Sequence, residues 1–381
     1  MTTTQAILPG ATLGMLGGGQ LGRMFTVAAQ TMGYKVVVLE PDINSPAGII
    51  ADKHICAKYD DEVALAELAE HCDAITTEFE NIPATVLSYL ESRTVVHPSS
   101  KALSSTQNRL VEKAFIESLG INVAPYAPIR YMADIDAIAD TFQFPAIIKA
   151  ASFGYDGKGQ AVCNNADEVR TAFTALKEVE CVLEQRINLE REISTVLARS
   201  QSGEITNFPV AENVHVNGIL HSTTVPSNVP EQQAQAVIEM ADKIADGLEY
   251  VGTMAVEFFI SKEGDILANE IAPRPHNSGH FTLDACQTSQ FEQQVRMLCG
   301  LPSGNCELVT PVVMINLLGD VWDNSQPHWQ RLLSQPQNKL HLYGKKEARV
   351  DRKMGHFNTL AADTEQATEI ALKAFEDLKA D

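Results

Sequence analysis

The stretch Gly17-Gly18-Gly19-Gln20-Leu21-Gly22 sits between an apolar strand signal, Ala11 to Leu16, and a helical pattern from Gln20 to Met32. No other part of the chain constrains the fold as tightly. Glycines let the backbone turn sharply and approach a ligand at a helix N-terminus, where free N–H groups favour an anion. A buried strand at Lys35 to Leu39 follows, then a helix at Asp61 to Glu70, a short strand at Ala74 to Thr77 and a helix at Pro83 to Glu91. This alternation predicts a parallel, doubly wound sheet, closed at His97-Pro98-Ser99-Ser100. With Glu40 ending the second strand, the G-x-G-x-x-G spacing fits a dinucleotide site and hence an NAD-dependent dehydrogenase. The same geometry serves any ligand that carries a phosphate or carboxylate.

The pattern then changes. A helix capped by Ser104 or Ser105 carries an apolar stripe, Leu110, Val111, Ala114, Phe115 and Leu119, and ends at Gly120. Strands at Ala146 to Lys149 and Gln160 to Cys163 flank a glycine-rich loop, and a helix near Ala166 to Leu176 leads to strands at Cys181 to Gln185 and Glu192 to Ala198. A helix at Glu231 to Leu248 leads into a hairpin, Thr253 to Glu270; after Pro302 come short strands, a basic cluster and a closing helix, Glu365 to Leu378. Three units are the natural count for 381 residues.

Bulk properties exclude several classes. A formal net charge of -20 argues against a nucleic-acid reader. No apolar run approaches the roughly 20 residues of a membrane helix, and the N-terminus shows no secretory signal. Seven cysteines without a C-x-x-C pair are expected to be free thiols, mostly small buried hydrophobes, in a reducing cytoplasm.

The chemistry concentrates in the middle unit. The loop Ser152-Phe153-Gly154-Tyr155-Asp156-Gly157-Lys158-Gly159-Gln160 can fold backbone N–H groups over phosphate oxygens, with Lys158 adding charge. Lys149 ends the preceding strand, where a buried strand would not ordinarily place a lysine. Glu184, Gln185, Arg186 and Ile187 end another strand and can offer backbone edges to a purine and a carboxylate to a ribose, and Glu192 begins the next. If Glu263-Gly264 is a two-residue turn, Glu257 lies opposite Glu270, with Val256, Phe258 and Ile260 facing the core. Two facing carboxylates repel unless a cation lies between them. Oxygen ligands beside a triphosphate suit Mg2+, and Asn269 adds a neutral oxygen to that corner.

Together these elements resemble the ATP-grasp superfamily, in which a strand-end lysine, a glycine-rich flap, a hinge glutamate and a late Glu…Asn-Glu pair clamp Mg-ATP. The resemblance implies a mixed α/β and α+β ATP-grasp fold. Its parts would be a Rossmann-like leading domain (1–103), an ATP-grasp domain of two subdomains (104–302) and a small β-rich trailing domain (303–381). Residues 17–24, 154–160 and 272–280 look like those of the 5-(carboxyamino)imidazole ribonucleotide synthases of purine biosynthesis, as do Ser289 to Glu292 and Lys353 to His356. The formate-dependent glycinamide ribonucleotide transformylases are the nearest alternative; they usually carry a serine-rich flap, where this chain has Tyr155-Asp156.

The resemblance implies that ATP phosphorylates bicarbonate and that the resulting carboxyphosphate carboxylates the amine of aminoimidazole ribonucleotide, releasing ADP and phosphate. By it, ATP would contact Arg109, Lys149, Gly154, Tyr155, Asp156, Gly157, Lys158, Gly159, Gln160, Glu184, Gln185, Arg186, Ile187, Glu192, His215, Asn269 and Glu270, with Glu257 and Glu270 on Mg2+. Lys158 and Arg274 would neutralise the transferring group, and His276 and Asp156 would handle bicarbonate or the amine. Gly19, Gln20, Leu21, Glu78, Asn81 and Asn277 would hold the ribonucleotide, its phosphate taken by Lys346, Arg349, Arg352 and Lys353 of the basic cluster. Members of this family are commonly homodimers.

Overall fold

A computed structural model describes residues 6–152, 159–322 and 326–379 of the chain. The leading sheet is parallel, with β1 (Thr12–Leu16), β2 (Lys35–Leu39), β3 (Lys53–Ile55), β4 (Ala74–Thr77) and β5 (Val95–Val96) in the order β3-β2-β1-β4-β5. Its apolar strands are covered on both faces, as such sheets require. β3 and β5 have three and two residues, too short to leave a periodic signal. One face packs on the helix Gln20–Thr31 and on Gln290–Leu298, whose Phe291, Val295 and Leu298 join Leu13, Met15 and Phe25 in one core. Each such side chain contributes roughly 1.5–3 kcal/mol when buried. The leading and middle units are therefore docked through shared apolar surface.

The second sheet is antiparallel and contains β6 (Tyr126–Ile129), β7 (Ala146–Ala150), β8 (Gln160–Cys163) and β9 (Cys181–Gln185), ordered β6-β9-β7-β8. Side chains alternate across it. Ala146 and Ile148 of β7 enter the core, which leaves Ile147 and Lys149 on the other face. Ile147 pairs with Glu184, so Lys149 and Glu184 are diagonal neighbours on that face.

The third sheet has nine strands among the described residues: β10 (Leu189–Arg199), β11 (Ile205–Asn207), β12 (Ala211–Val216), β13 (Ile219–Val225), β14 (Gly252–Ser261), β15 (Ile266–Ala272), β16 (Val312–Leu318), β17 (Asn338–Leu342) and β18 (Lys353–Leu360). The path runs β15-β14-β10-β12-β13-β16-β18-β17, with β11 on β10. The β13–β16 pairing carries the sheet into the trailing segment, which adds its own core where the helix Thr364–Lys379 packs Ala367 and Ala371 on Val313, Ile315 and Phe357.

Two expectations need correction. The helix after the leading sheet begins at Arg109, capped by the Asn108 side chain, while Ser99 caps a separate short helix, Ser100–Ser104. Its buried residues are Glu112, Lys113 and Ile116, and Val111 is exposed. The stripe of Leu110, Val111 and Ala114 fails because the helix turns a charged face inward, toward ionic partners; only Phe115 and Leu119 of that stripe pack on the core. The hairpin turn also differs. Ile260 pairs with Ile266 around residues 262–265, one residue off the expected register. A bulge at Asn269 then restores it, and Glu257 does pair with Glu270.

All seven cysteines are free, five of them buried. No helix among the described residues is long and apolar enough to cross a membrane.

Candidate functional site

A cleft of about 980 Å³ opens between the second and third sheets, with the leading domain at one end. Its first wall is the exposed face of β7 and β9. Glu184 is almost fully buried between two cations: Lys149 Nζ at 2.6 Å and Lys113 Nζ at 3.1 Å. Burial pushes the Glu184 carboxyl up, but the two lysines outweigh it and hold it at about 2. Lys113 escaped sequence reasoning because it occupies a position that helical spacing alone does not distinguish from surface. The signal that could have found it is its place four residues beyond Arg109, on the same face of the helix.

The depressed carboxyl has a consequence for stability. Its contribution is fully present above the unfolded value of 4.5 and is lost as pH falls through the folded value of about 2. The stability advantage of the native chain over Glu184→Gln is therefore expected to shrink between those limits, as read from urea midpoints across that pH range.

Gln185, Arg186 and Ile187 continue from β9 along the cleft beside Leu189 and Phe259. Two of their amide groups are already engaged, Gln185 to the Pro125 carbonyl at 2.8 Å and Arg186 to Pro145 at 2.9 Å.

Glu257, Asn269 and Glu270 form the opposite wall. The bulge places two residues of β15 against one of β14, which turns the Asn269 side chain toward its neighbours' carboxylates; its Nδ2 lies 3.4 Å from Glu257 Oε2. Arg109 Nη1 donates to Glu270 Oε2 at 2.9 Å. Burial favours the neutral Glu270 carboxyl, yet Arg109 holds it ionised below the ordinary range. Glu257 goes the other way, raised by burial and by Glu270 opposite. Two facing carboxylates repel, and a cation between them would relieve that repulsion. Their oxygens and the Asn269 amide are hard donors of the type Mg2+ takes. Among the described residues no cluster of three or more His, Cys, Asp or Glu is arranged for a metal. A cation here would complete its shell from phosphate and water.

His215 and Glu192 are also brought to the cleft and hydrogen-bond each other through His215 Nδ1. Burial lowers the imidazole, but the Glu192 hydrogen bond together with the charges of Glu257 and Glu192 outweighs it and raises His215. His276 Nε2 lies 3.4 Å from Glu257 Oε1. Burial, with Arg274 beside it, holds His276 down at about 3, so the ring is neutral. Arg274 pairs with Glu80 at 2.6 Å, a partner that sequence reasoning missed because it comes from the leading domain 194 residues away. Asn277 exchanges two hydrogen bonds with Asn316.

Three amides of the leading glycine loop already have carboxylate partners. The Glu78 carboxylate already accepts from the Gly19 and Gly22 amides at the helix N-terminus, and Glu40 accepts from Gly18. Gly17 has φ +106° and a Cβ there would meet Glu78 at 2.4 Å, so the glycines serve an internal carboxylate. NADH is accordingly expected to show no saturable binding in a fluorescence titration; tight binding would contradict this.

Gln20, Leu21 and Glu78 line the cleft, whereas Gly19, Asn81 and Gly159 do not. Of the basic cluster only Lys353 lines it. Lys346 donates to the Asn44 side chain at 2.6 Å, Arg349 pairs with the Glu347 carboxylate, and Arg352 Nη1 donates to the Glu347 main-chain carbonyl at 2.9 Å. The Glu347 carboxylate holds Arg349, and its main-chain carbonyl holds Arg352, within their own loop. Gly154, Tyr155, Asp156, Gly157 and Lys158 lie outside the described residues.

Comparison with known proteins agrees with this geometry. Residues 10–107 match the ribonucleotide synthetase preATP-grasp domain, 114–291 the ATP-grasp domain, and 312–370 the phosphoribosylaminoimidazole carboxylase C-terminal domain. The N5-carboxyaminoimidazole ribonucleotide synthase of Bacillus subtilis (strain 168) is 44% identical over 352 residues, 92% of each chain. An N5-carboxyaminoimidazole synthetase from Staphylococcus aureus complexed with ADP superposes with a TM-score of 0.91 at 40% identity, covering 98% of this chain and 99% of that one. An Aspergillus clavatus synthase in complex with ADP and 5-aminoimidazole ribonucleotide gives 0.89 at 29% identity, covering 97% and 98%. The chain belongs to the N5-carboxyaminoimidazole ribonucleotide synthase family, the ATP-grasp ligases of purine biosynthesis.

Proposed function

We propose that the cleft carries out the ATP-dependent carboxylation of 5-aminoimidazole ribonucleotide with bicarbonate, and that the residues described above divide the work as follows. The purine lies along Glu184 to Ile187 between Ile147, Leu189 and Phe259, while Lys149 and Arg109 face the phosphates. Glu192 and His215 complete the nucleotide's surroundings. Glu257, Glu270 and Asn269 would hold Mg2+, which when bound supplies charge neutralisation to the phosphates. A bicarbonate oxygen attacks the γ-phosphorus and ADP leaves. The carboxyphosphate then loses its C–O bond to give phosphate and carbon dioxide, and the substrate amine attacks that carbon and sheds a proton. Arg274 and Lys149 offset the charge of the transferring group. Asp156 and Lys158 are proposed from the resemblance alone. Such a labile intermediate needs water excluded, a task for the glycine-rich loop.

Lys353, with Gln20 and Leu21, is the proposed holder of the ribonucleotide, Asn277 bracing the wall beside it. Lys346, Arg349 and Arg352 would reach its phosphate only after releasing their present partners. We assign the enzyme to the cytoplasm as a homodimer, the state to be checked by sedimentation equilibrium.

The observation that carries this reading is the Glu257–Glu270 pair beside Asn269, with Arg109 bound to Glu270 and Lys149 lining the same cleft. The test is ADP release. It is expected to rise when aminoimidazole ribonucleotide and bicarbonate are present together. Stimulation by formate with glycinamide ribonucleotide instead would sink the assignment.

A further inference from the structure

His276 Nδ1 faces two donors from one residue, the Ser278 amide at 3.2 Å and the Ser278 Oγ at 2.8 Å. An amide N–H can only donate, so Nδ1 is an acceptor and carries no proton. The hydroxyl agrees, for a reason that begins two strands away. Thr223 Oγ1 donates to Asn213 Oδ1 at 2.9 Å, Asn213 Nδ2 donates to Ser194 Oγ at 2.9 Å, and Ser194 donates to Ser278 Oγ at 2.8 Å. All four residues are buried. Each hydroxyl has one proton to give. Ser278, already receiving from Ser194, therefore turns its own toward His276. Gln290 clamps the His276 backbone at both ends, accepting from its N–H at 2.9 Å and donating to its carbonyl at 2.8 Å.

We propose that Thr223, Asn213, Ser194 and Ser278 are positioning residues that lock His276 as its Nε2–H tautomer. His276 is then a hydrogen-bond donor into the cleft, not the base that takes the substrate amine's proton. The proposal rests on the reading of this cleft as the carboxylation site. A donor there can orient an anionic oxygen, whether of Glu257 (3.4 Å away) or of bicarbonate.

The relay's direction makes it testable from a distance. In Asn213→Asp the group facing Ser194 becomes an acceptor. Ser194 must then donate to it and Ser278 must donate to Ser194, so Nδ1 keeps only the longer 3.2 Å amide donor against a hydroxyl oxygen at 2.8 Å that is now free to accept its proton. Adding Ser194→Ala frees Ser278 to donate to the ring again. The measurement is the two-bond 1H–15N spectrum of the imidazole in the ligand-free full-length protein, with His276→Gln used only to assign the signal. The native chain is expected to show a protonated Nε2 and a bare Nδ1. Asn213→Asp should shift the ring toward Nδ1–H and lower kcat about tenfold or more, as for other groups that orient catalytic side chains. The double variant should recover the native tautomer and much of the lost rate. A native Nδ1–H ring, or an unchanged tautomer in Asn213→Asp, would overturn the proposal. The native spectrum alone decides the tautomer if a variant fails to fold. It does so whether or not the enzyme consumes bicarbonate, so this proposal and the carboxylation reading fail separately.

Discussion

Glu270→Ala is expected to lower kcat on the order of a thousandfold, the scale of losing several kcal/mol of charge stabilisation on a transferring phosphoryl group. Glu270 sits where three elements converge. It faces Glu257 across the hairpin, follows the Asn269 bulge and takes the Arg109 guanidinium at 2.9 Å. Removing it deletes an oxygen ligand and leaves Arg109 without its carboxylate. Glu257→Gln separates metal holding from simple architecture. It removes one of two facing like charges, which relieves repulsion in the ligand-free protein. Thermal stability should therefore hold or rise while turnover collapses. A control at Glu263, on the turn of the same hairpin, should leave both unchanged. Normal turnover in either Glu257→Gln or Glu270→Ala would remove the basis for a cation between them.

The second large effect is on stability. Glu184→Gln leaves Lys113 buried beside Lys149 with no carboxylate between them, and breaking a buried ionic group of this kind costs about 3–5 kcal/mol. The urea midpoint should drop accordingly, and ATP should bind more weakly because Lys149 loses its anchor. Lys113→Met is the informative counterpart. It removes a desolvated charge but keeps the 2.6 Å Lys149–Glu184 pair, and replacing a buried charge by an apolar side chain is often neutral or better. A midpoint close to native in Lys113→Met, beside a large loss in Glu184→Gln, is the expected pair of results. Equal losses would mean that the triad acts as a rigid unit.

Much of the cleft was legible where local chemistry breaks a local rule. A lysine closing a buried strand and two glutamates facing each other are costly unless something answers them, so Lys149, Glu257 and Glu270 stood out. The Glu257–Glu270 register came out right although the turn was misjudged, because the Asn269 bulge compensates by one residue. Side-chain alternation near a hairpin is short-ranged and does not reveal such an insertion. The helix at Arg109–Ser118 was misread for a different reason. Helical periodicity finds an apolar face, and here the face turned inward is ionic, its partners supplied by β9 and β15 more than 60 residues away. The glycine loop shows the same limit. Its backbone chemistry invites any anion, and only the fold reveals that Glu78 supplies one from within the chain. In the basic cluster, counting charges overlooked Glu347, an acid two residues from Arg349.

The central claim is that this cleft moves a phosphoryl group from ATP to bicarbonate before carbon reaches the amine. Bicarbonate labelled with 18O tests it most directly. Attack by a bicarbonate oxygen followed by C–O cleavage leaves that oxygen on phosphorus, so inorganic phosphate released during turnover with aminoimidazole ribonucleotide should carry one 18O. Phosphate without label, at full product yield, would contradict the account.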